Sequence, residues 1–226
     1  GDCKHICFGL GRELYDSQAV FRVSMTECDS ASRSLCGFSV VEALFEAWTE
    51  DGQIGVSPAS LGAVLFSVQY SLAQLWLSLG VYPTALTGFA LGEITAVAVG
   101  GMLDLTTGMQ LAMKYSDLLA RARTSSSKTV LLLGHELEQF VDAKVRFATS
   151  AGVNAALLPS HHQNQEAECS PLETMSCGKY WRNQFCLGLT TGDFVEKTLK
   201  LDFDILLEVG PRFLFGSLAA QFPSPT

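Results

Sequence analysis

The segment Thr87-Gly88-Phe89-Ala90-Leu91-Gly92-Glu93 constrains the fold of this chain more than any other stretch. The short apolar run Tyr82–Thr87 precedes it, and a run of small residues, Leu91–Gly101, follows. A strand, a Gly-x-x-x-Gly turn and a helix of small residues make the geometry of a nucleophile elbow. The glycines allow a tight turn and a close approach of helix to strand. The middle residue is lifted to the helix N-terminus, where backbone N–H groups and the helix dipole favour negative charge. A serine there would be exposed, and the amide of Leu91 would help to bind an oxyanion. The middle residue is instead Ala90, which has no atom able to attack a carbonyl.

The rest of the chain supplies layers around that turn. His5–Phe8 reads as a first strand ending in Gly9 and Gly11. Arg12–Asp29 is expected to be helical, with Leu14, Val20, Phe21 and Met25 near one face, and Ser39–Trp48 as a short helix. Ser57 and Pro58 suit the start of a long helix. Leu61, Leu65, Val68, Leu72, Leu75 and Leu79 follow at helical spacing, and Gly80 stops it. Thr107–Ala122 continues as helix, and Thr124–Ser127 is a polar linker. Beyond it, Thr129–Leu133 is expected as a strand, Glu136–Lys144 as a helix and Val153–Leu158 as a second strand. His161–Ser176 is polar and reads as a loop. Tyr180–Leu187 and Asp193–Leu199 are expected as helices, and Phe203–Val209 as a final core strand. Strands alternating with helices predict a layered α/β fold.

Bulk properties narrow the function classes. Of 226 residues, 48% are hydrophobic and 17% charged, enough to bury a core. The formal charge of −8 and scattered basic residues argue against a nucleic-acid surface. No apolar run reaches the length of a membrane span, and no signal peptide is read. Seven cysteines without a CxxC pair are expected to be reduced, mostly buried thiols of a cytoplasmic protein. Gly1 stands where an initiator Met would, so the chain is expected to be part of something longer. No metal site, nucleotide loop or redox motif is found.

The stretch from Val56-Ser57-Pro58 to Gly101-Met102-Leu103 resembles the malonyl-CoA:acyl-carrier-protein transacylase family and the acyltransferase domains of polyketide and fatty-acid synthases. The family's Gly-His-Ser-x-Gly-Glu motif stands here as Gly88-Phe89-Ala90-Leu91-Gly92-Glu93. Further matches run in the family's order. They are Gly9-Leu10-Gly11-Arg12-Glu13-Leu14-Tyr15, Phe66-Ser67-Val68-Gln69, Leu75-Trp76, Tyr180-Trp181-Arg182-Asn183 and Leu207-Glu208-Val209-Gly210-Pro211.

That resemblance implies an α/β-hydrolase-like large subdomain with a parallel sheet over 1–124 and 160–226. It also implies a small, truncated ferredoxin-like subdomain inserted at 125–159. It implies acyl-CoA and phosphopantetheine as substrates, with no bound cofactor or metal. The implied partners are an acyl carrier protein and neighbouring ketosynthase and linker domains, and neither nucleic acid nor membrane. In the family a serine attacks the thioester and a histidine in an Ala-Ser-His segment is its base. Pro159-Ser160-His161 resembles that segment and makes His161 the candidate base.

Departures from the pattern cluster at the chemistry. The nucleophile position is Ala90, and Phe89 stands at the motif's histidine. The family's Gly-Gln-Gly-x-Gln oxyanion loop is missing, since Phe8 runs straight into Gly9-Leu10-Gly11. Tyr115 occupies the position of the arginine that pairs with a malonyl carboxylate, and a tyrosine supplies no such charge. The Gly-Pro-His motif is Gly210-Pro211-Arg212. Together these losses predict a catalytically silent acyltransferase with a structural or docking role. Ala90 alone also fits an active transacylase or thioester hydrolase whose nucleophile was deliberately replaced, with Tyr115 favouring neutral acyl groups. A third possibility is an unrelated hydrolase-like binding protein, against which the ordered matches argue.

Overall fold

The computed structural model describes residues 9–46, 57–148, 156–158, 175–187, 191–201 and 203–211. The elements in chain order are α1 (Arg12–Ser17), α2 (Ala19–Cys36), α3 (Val40–Phe45), α4 (Pro58–Ser78), β1 (Ala85–Thr87) and α5 (Leu91–Val99). They continue as α6 (Leu105–Ala122), α7 (Ser127–Lys144), β2 (Ala156–Leu158), α8 (Gly178–Leu187) and α9 (Thr191–Leu199). The fold is α/β in order, but mostly helical with little sheet.

Helix α4 is the core element. The Ser57 hydroxyl accepts the Ser60 amide at 3.1 Å, and Pro58 occupies the first turn. Residues from Ala63 to Val68 are almost fully buried on every side. Packing with α6 is close: a Cβ on Gly62 would lie 2.7 Å from the Ala112 carbonyl oxygen. By length and composition this 21-residue helix could cross a membrane, contrary to expectation, yet 61% of its most apolar window is buried inside the protein. Its apolarity is therefore accounted for by the core, where α2, α5 and α6 enclose it.

The expected helix over Arg12–Asp29 is two helices. Gln18 adopts an extended backbone between them, and α2 then runs to Gly37, whose φ of 71° closes it. The break turns Val20 outward, while Phe21 and Met25 stay in the core. The Asp29 carboxylate ties α2 to α3 by accepting the Ser39 hydroxyl at 2.7 Å and the Val41 amide at 3.1 Å. Cys28 is buried, and burial pushes its thiol up to about 12, whereas Cys36 and Cys177 are exposed; Cys3, Cys7 and Cys169 lie outside the described residues.

Two strand expectations are corrected. Thr129–Leu133 lies within α7: Ser126 caps the helix by accepting the Thr129 amide, and Leu133, Leu137 and Val141 bury one face at four-residue spacing. The strand expected to open a ferredoxin-like subdomain is therefore absent there. Among the described residues Phe203–Val209 has no strand partner either, and Ile205 is 84% exposed. Of Val153–Leu158, Ala156–Leu158 is a strand, and it pairs in parallel with β1: Ala85 with Ala156, Leu86 with Leu157, Thr87 with Leu158. Helix α7 packs on α6 and α8. The expected first strand at His5–Phe8 and the loop at 161–174 lie outside the described residues.

Candidate functional site

The elbow forms as the sequence predicts. Gly88 ends β1, and a Cβ there would sit 2.3 Å from the Gly92 carbonyl carbon and 2.4 Å from the Glu93 nitrogen. No side chain fits that gap, so the backbone of α5 can approach the strand. A Cβ on Gly92 would meet nothing closer than the Gln69 amide nitrogen at 3.9 Å. Only the first glycine is demanded by contact. Ala90 adopts φ 53° and ψ −120°, the one non-glycine residue with positive φ among the described residues. Such a conformation stores on the order of 1–3 kcal/mol of strain and persists only where surroundings enforce it. The Gly92 and Glu93 amides bond the Phe89 and Ala90 carbonyls at 3.0 Å. The Leu91 amide takes no partner among the described residues, and its side chain is buried.

Behind the turn, α5 carries a buried acid. Glu93 is 1% exposed, and its carboxylate accepts from the Tyr180 hydroxyl and the Gln184 side-chain amide, both on α8. Gln184 also donates to the Tyr180 oxygen at 2.8 Å. A carboxylate in an apolar helix is tolerable only with such donors. Tyr115 of α6 is buried and stands edge-on to Phe185 at 5.7 Å. Burial, and secondarily the Glu93 charge, raise its hydroxyl pKa, so it stays a neutral phenol.

A cleft of about 600 Å³ opens beside the elbow. Gly88, Phe89 and Gly92 line it together with the C-terminal part of α4, β1, α9 and residues 203–211. Phe89 closes one side against Phe194, ring centroids 5.6 Å apart. Gln69, held by the Thr95 hydroxyl at 3.0 Å, lies under Gly92 and Gly210. Among the described residues that line it there is no Lys, Arg or His.

The family model described as "Acyl transferase domain" matches residues 8–161. The chain belongs to the acyl transferase domain family. Relatives of this acyl transferase domain include the non-reducing polyketide synthase pigA of Monascus ruber, 36% identical over 111 residues. That match covers 49% of this chain and 4% of the relative. Another is the non-reducing polyketide synthase azaA of Aspergillus niger, 39% identical over 103 residues, covering 46% of this chain and 4% of the relative. The domain thus spans a small part of the length of the curated relatives it matches. In fold it is similar to the acyl transferase domain of SpnD, with TM-score 0.71 at 19% identity over 94% of this chain and 64% of that chain. An acyl carrier protein S-malonyltransferase of Vibrio cholerae gives TM-score 0.69 at 14% identity, over 94% and 88% of the two chains.

The acyl transferase domain brings some expected positions together and separates others. Phe89 faces the cleft, whereas Ala90, Leu91 and Tyr115 are not among its lining residues. Tyr115 sits in the core near Glu93, so no cation stands in for the expected arginine at that position. His161 lies outside the described residues. Its sequence position mirrors Ala90: each is three residues beyond a register partner, Leu158 and Thr87 respectively. The Glu93–Tyr180–Gln184 network received no role from the sequence. Its signal was a lone acid in the otherwise small and apolar run Leu91–Val99, which has to find buried donors.

Proposed function

We propose that this is an acyl transferase domain of a polyketide synthase that no longer transfers acyl groups. It would serve as a structural or docking unit beside the ketosynthase, its linker and the acyl carrier protein. Ala90 at the apex of the elbow carries this reading. Acyl transfer through a covalent intermediate needs a nucleophile at that bend, and a methyl group cannot supply one. Loss of even one oxyanion donor lowers a rate by roughly 10²–10³, and the sequence also lacks the oxyanion loop. Tyr115, neutral and packed on Phe185, offers no bidentate partner to an acyl carboxylate. The tight packing at Gly88 and the buried Glu93 network keep the fold's shape without its chemistry.

The test is to incubate the domain with radiolabelled acetyl-CoA or malonyl-CoA and a carrier protein. No label should pass to the carrier. Robust transfer would refute a silent domain.

A second reading has one observation in its favour. Ala90 keeps a strained backbone that is useful only for presenting a nucleophile. That fits an active transacylase, or a thioester hydrolase, whose serine or cysteine was replaced, with a preference for neutral acyl groups. Ala90→Ser and Ala90→Cys would then form an acyl adduct visible by intact mass. If neither variant labels, the silent reading holds.

A further inference from the structure

We propose that Glu93 is the positioning residue of the elbow: its side-chain hydrogen bonds to Tyr180 and Gln184 of α8 hold the backbone at residue 90 in its strained conformation. The proposal concerns the backbone that presents residue 90, and it stands whether or not the domain transfers acyl groups.

The strain at Ala90 has to be enforced from outside the residue. A backbone at φ 53° with a Cβ attached relaxes unless its flanks are held. The flank before it is β1, fixed in the sheet by its pairing with β2 and by the Thr87 hydroxyl on the Leu158 carbonyl. The flank after it is the first turn of α5. There the Glu93 amide donates to the Ala90 carbonyl at 3.0 Å, and the Gly92 amide to the Phe89 carbonyl at 3.0 Å. Gly88 presses against the backbone of Gly92 and Glu93. Residue 90 is therefore caught between a fixed strand and a helix, and the placement of that helix sets its dihedral angles.

Apolar packing does not fix the roll of α5 by itself, because burial is non-directional. Hydrogen bonds are directional. The helix has two polar side chains, Glu93 and Thr95. The Thr95 hydroxyl donates to Gln69 of α4 at 3.0 Å. Glu93 accepts from Tyr180 through one carboxyl oxygen and from Gln184 through the other. Of the two, Glu93 is the one whose own amide closes on Ala90. Its anchor is firm. In α8, Tyr180, Trp181, Gln184 and Phe185 are buried. The Gly178 amide donates to Asp142 of α7 at 3.0 Å, and Arg182 pairs with Glu138 of α7 at 2.9 Å. Hydrogen bonds in such a dry interior hold geometry strongly. The path from α8 to residue 90 thus runs through one side chain.

The test measures Ala90→Gly by urea unfolding in four backgrounds. In the parent it should lower the unfolding equilibrium constant about fivefold, because strain is relieved. Glu93→Gln keeps an accepting oxygen but cannot ionise, and there the gain should remain about fivefold. Glu93→Leu keeps no polar atom, so residue 90 relaxes and the gain should fall below about twofold. Tyr180→Phe removes one bond from the α8 side and should give a value in between; it decides the matter if Glu93→Leu does not fold. A second readout follows presentation rather than stability. In Ala90→Cys, iodoacetamide alkylation at position 90 is followed against pH by peptide mass. A thiol held at a helix N-terminus ionises more readily. The midpoint should therefore lie lower with Glu93→Gln than with Glu93→Leu, two variants that both lack the acid and differ in the hydrogen bonds they keep. The proposal is overturned if Ala90→Gly has the same effect in all four backgrounds, if it destabilises the parent, or if the two alkylation profiles coincide.

Discussion

The Thr87 hydroxyl donates to the Leu158 carbonyl at 3.0 Å, and the two residues are register partners in the parallel pair. The bond fixes the exit of β1 three residues before Ala90, and the exit of β2 three residues before His161. Thr87→Val keeps strand propensity and shape but deletes the donor. It should lower the unfolding free energy in urea by about 0.5–1.5 kcal/mol. A change within error would mean that the side-chain bond adds nothing to the pairing.

The elbow makes a sharper prediction about strain. Ala90 holds φ 53° with a Cβ attached, in a region that glycine enters freely. Ala90→Gly relieves strain of order 1–3 kcal/mol but adds roughly 0.5–1 kcal/mol of backbone entropy in the unfolded chain. The balance is a gain of about 1 kcal/mol, read as a raised urea midpoint at constant slope. Ala90→Val, branched at Cβ, should move the midpoint the other way. A destabilised glycine variant would show that the backbone is relaxed there.

Gly88 and Gly92 look alike in sequence but differ in surroundings. Gly88→Ala drives a methyl into the backbone of α5, with contacts near 2.3 Å. Loss of more than about 3 kcal/mol, or failure to fold, is expected. Gly92→Ala meets only Gln69 at 3.9 Å and improves the first turn of a helix. It should stabilise by up to about 1 kcal/mol. Equal effects at the two sites would contradict the asymmetric elbow.

These contrasts show what the chain discloses about itself. The long core helix was legible because Ser57-Pro58 and the leucine spacing are local signals. The elbow was legible because two glycines flank it. Helix α7 was not: Val130-Leu131-Leu132-Leu133 is an unbroken apolar run without a period, and its helical face emerges only with Leu137 and Val141. Phe203, Ile205, Leu207 and Val209 alternate with Asp204 and Glu208 as a strand does, but a strand also needs a neighbour, which local sequence cannot supply. The partners of Glu93 lie 87 and 91 positions away, beyond any local pattern.

Acid should weaken the joint between α2 and α3. Burial alone would raise the Asp29 carboxyl, but hydrogen bonds from Arg33, Ser39 and the Val41 amide outweigh it and hold the pKa below its ordinary value. A carboxyl lowered in the native state adds stability above its unfolded value of about 3.9. That contribution is lost as pH falls through the native value. Asp29→Asn should therefore be less stable than the parent at neutral pH, and the gap should close as the pH is lowered toward about 2. Urea titrations at several pH values measure it. A gap that is independent of pH would mean that geometry, not charge, carries the joint.

The last prediction concerns the buried acid behind the elbow. Glu93→Leu removes the carboxyl that accepts from both Tyr180 and Gln184, while their mutual bond of 2.8 Å remains. Each of the two lost hydrogen bonds is worth about 0.5–1.5 kcal/mol, so the variant should be destabilised by about 1–3 kcal/mol. Tyr180→Phe alone should also destabilise, because the carboxylate loses a donor. Adding Tyr180→Phe to Glu93→Leu should cost less than Tyr180→Phe does alone, because the bond between Tyr180 and Glu93 is already gone. The double-mutant cycle should therefore give a coupling of about 0.5–3 kcal/mol. Additive losses would mean that the two side chains meet without depending on one another, and α5 would then owe its position to apolar packing alone.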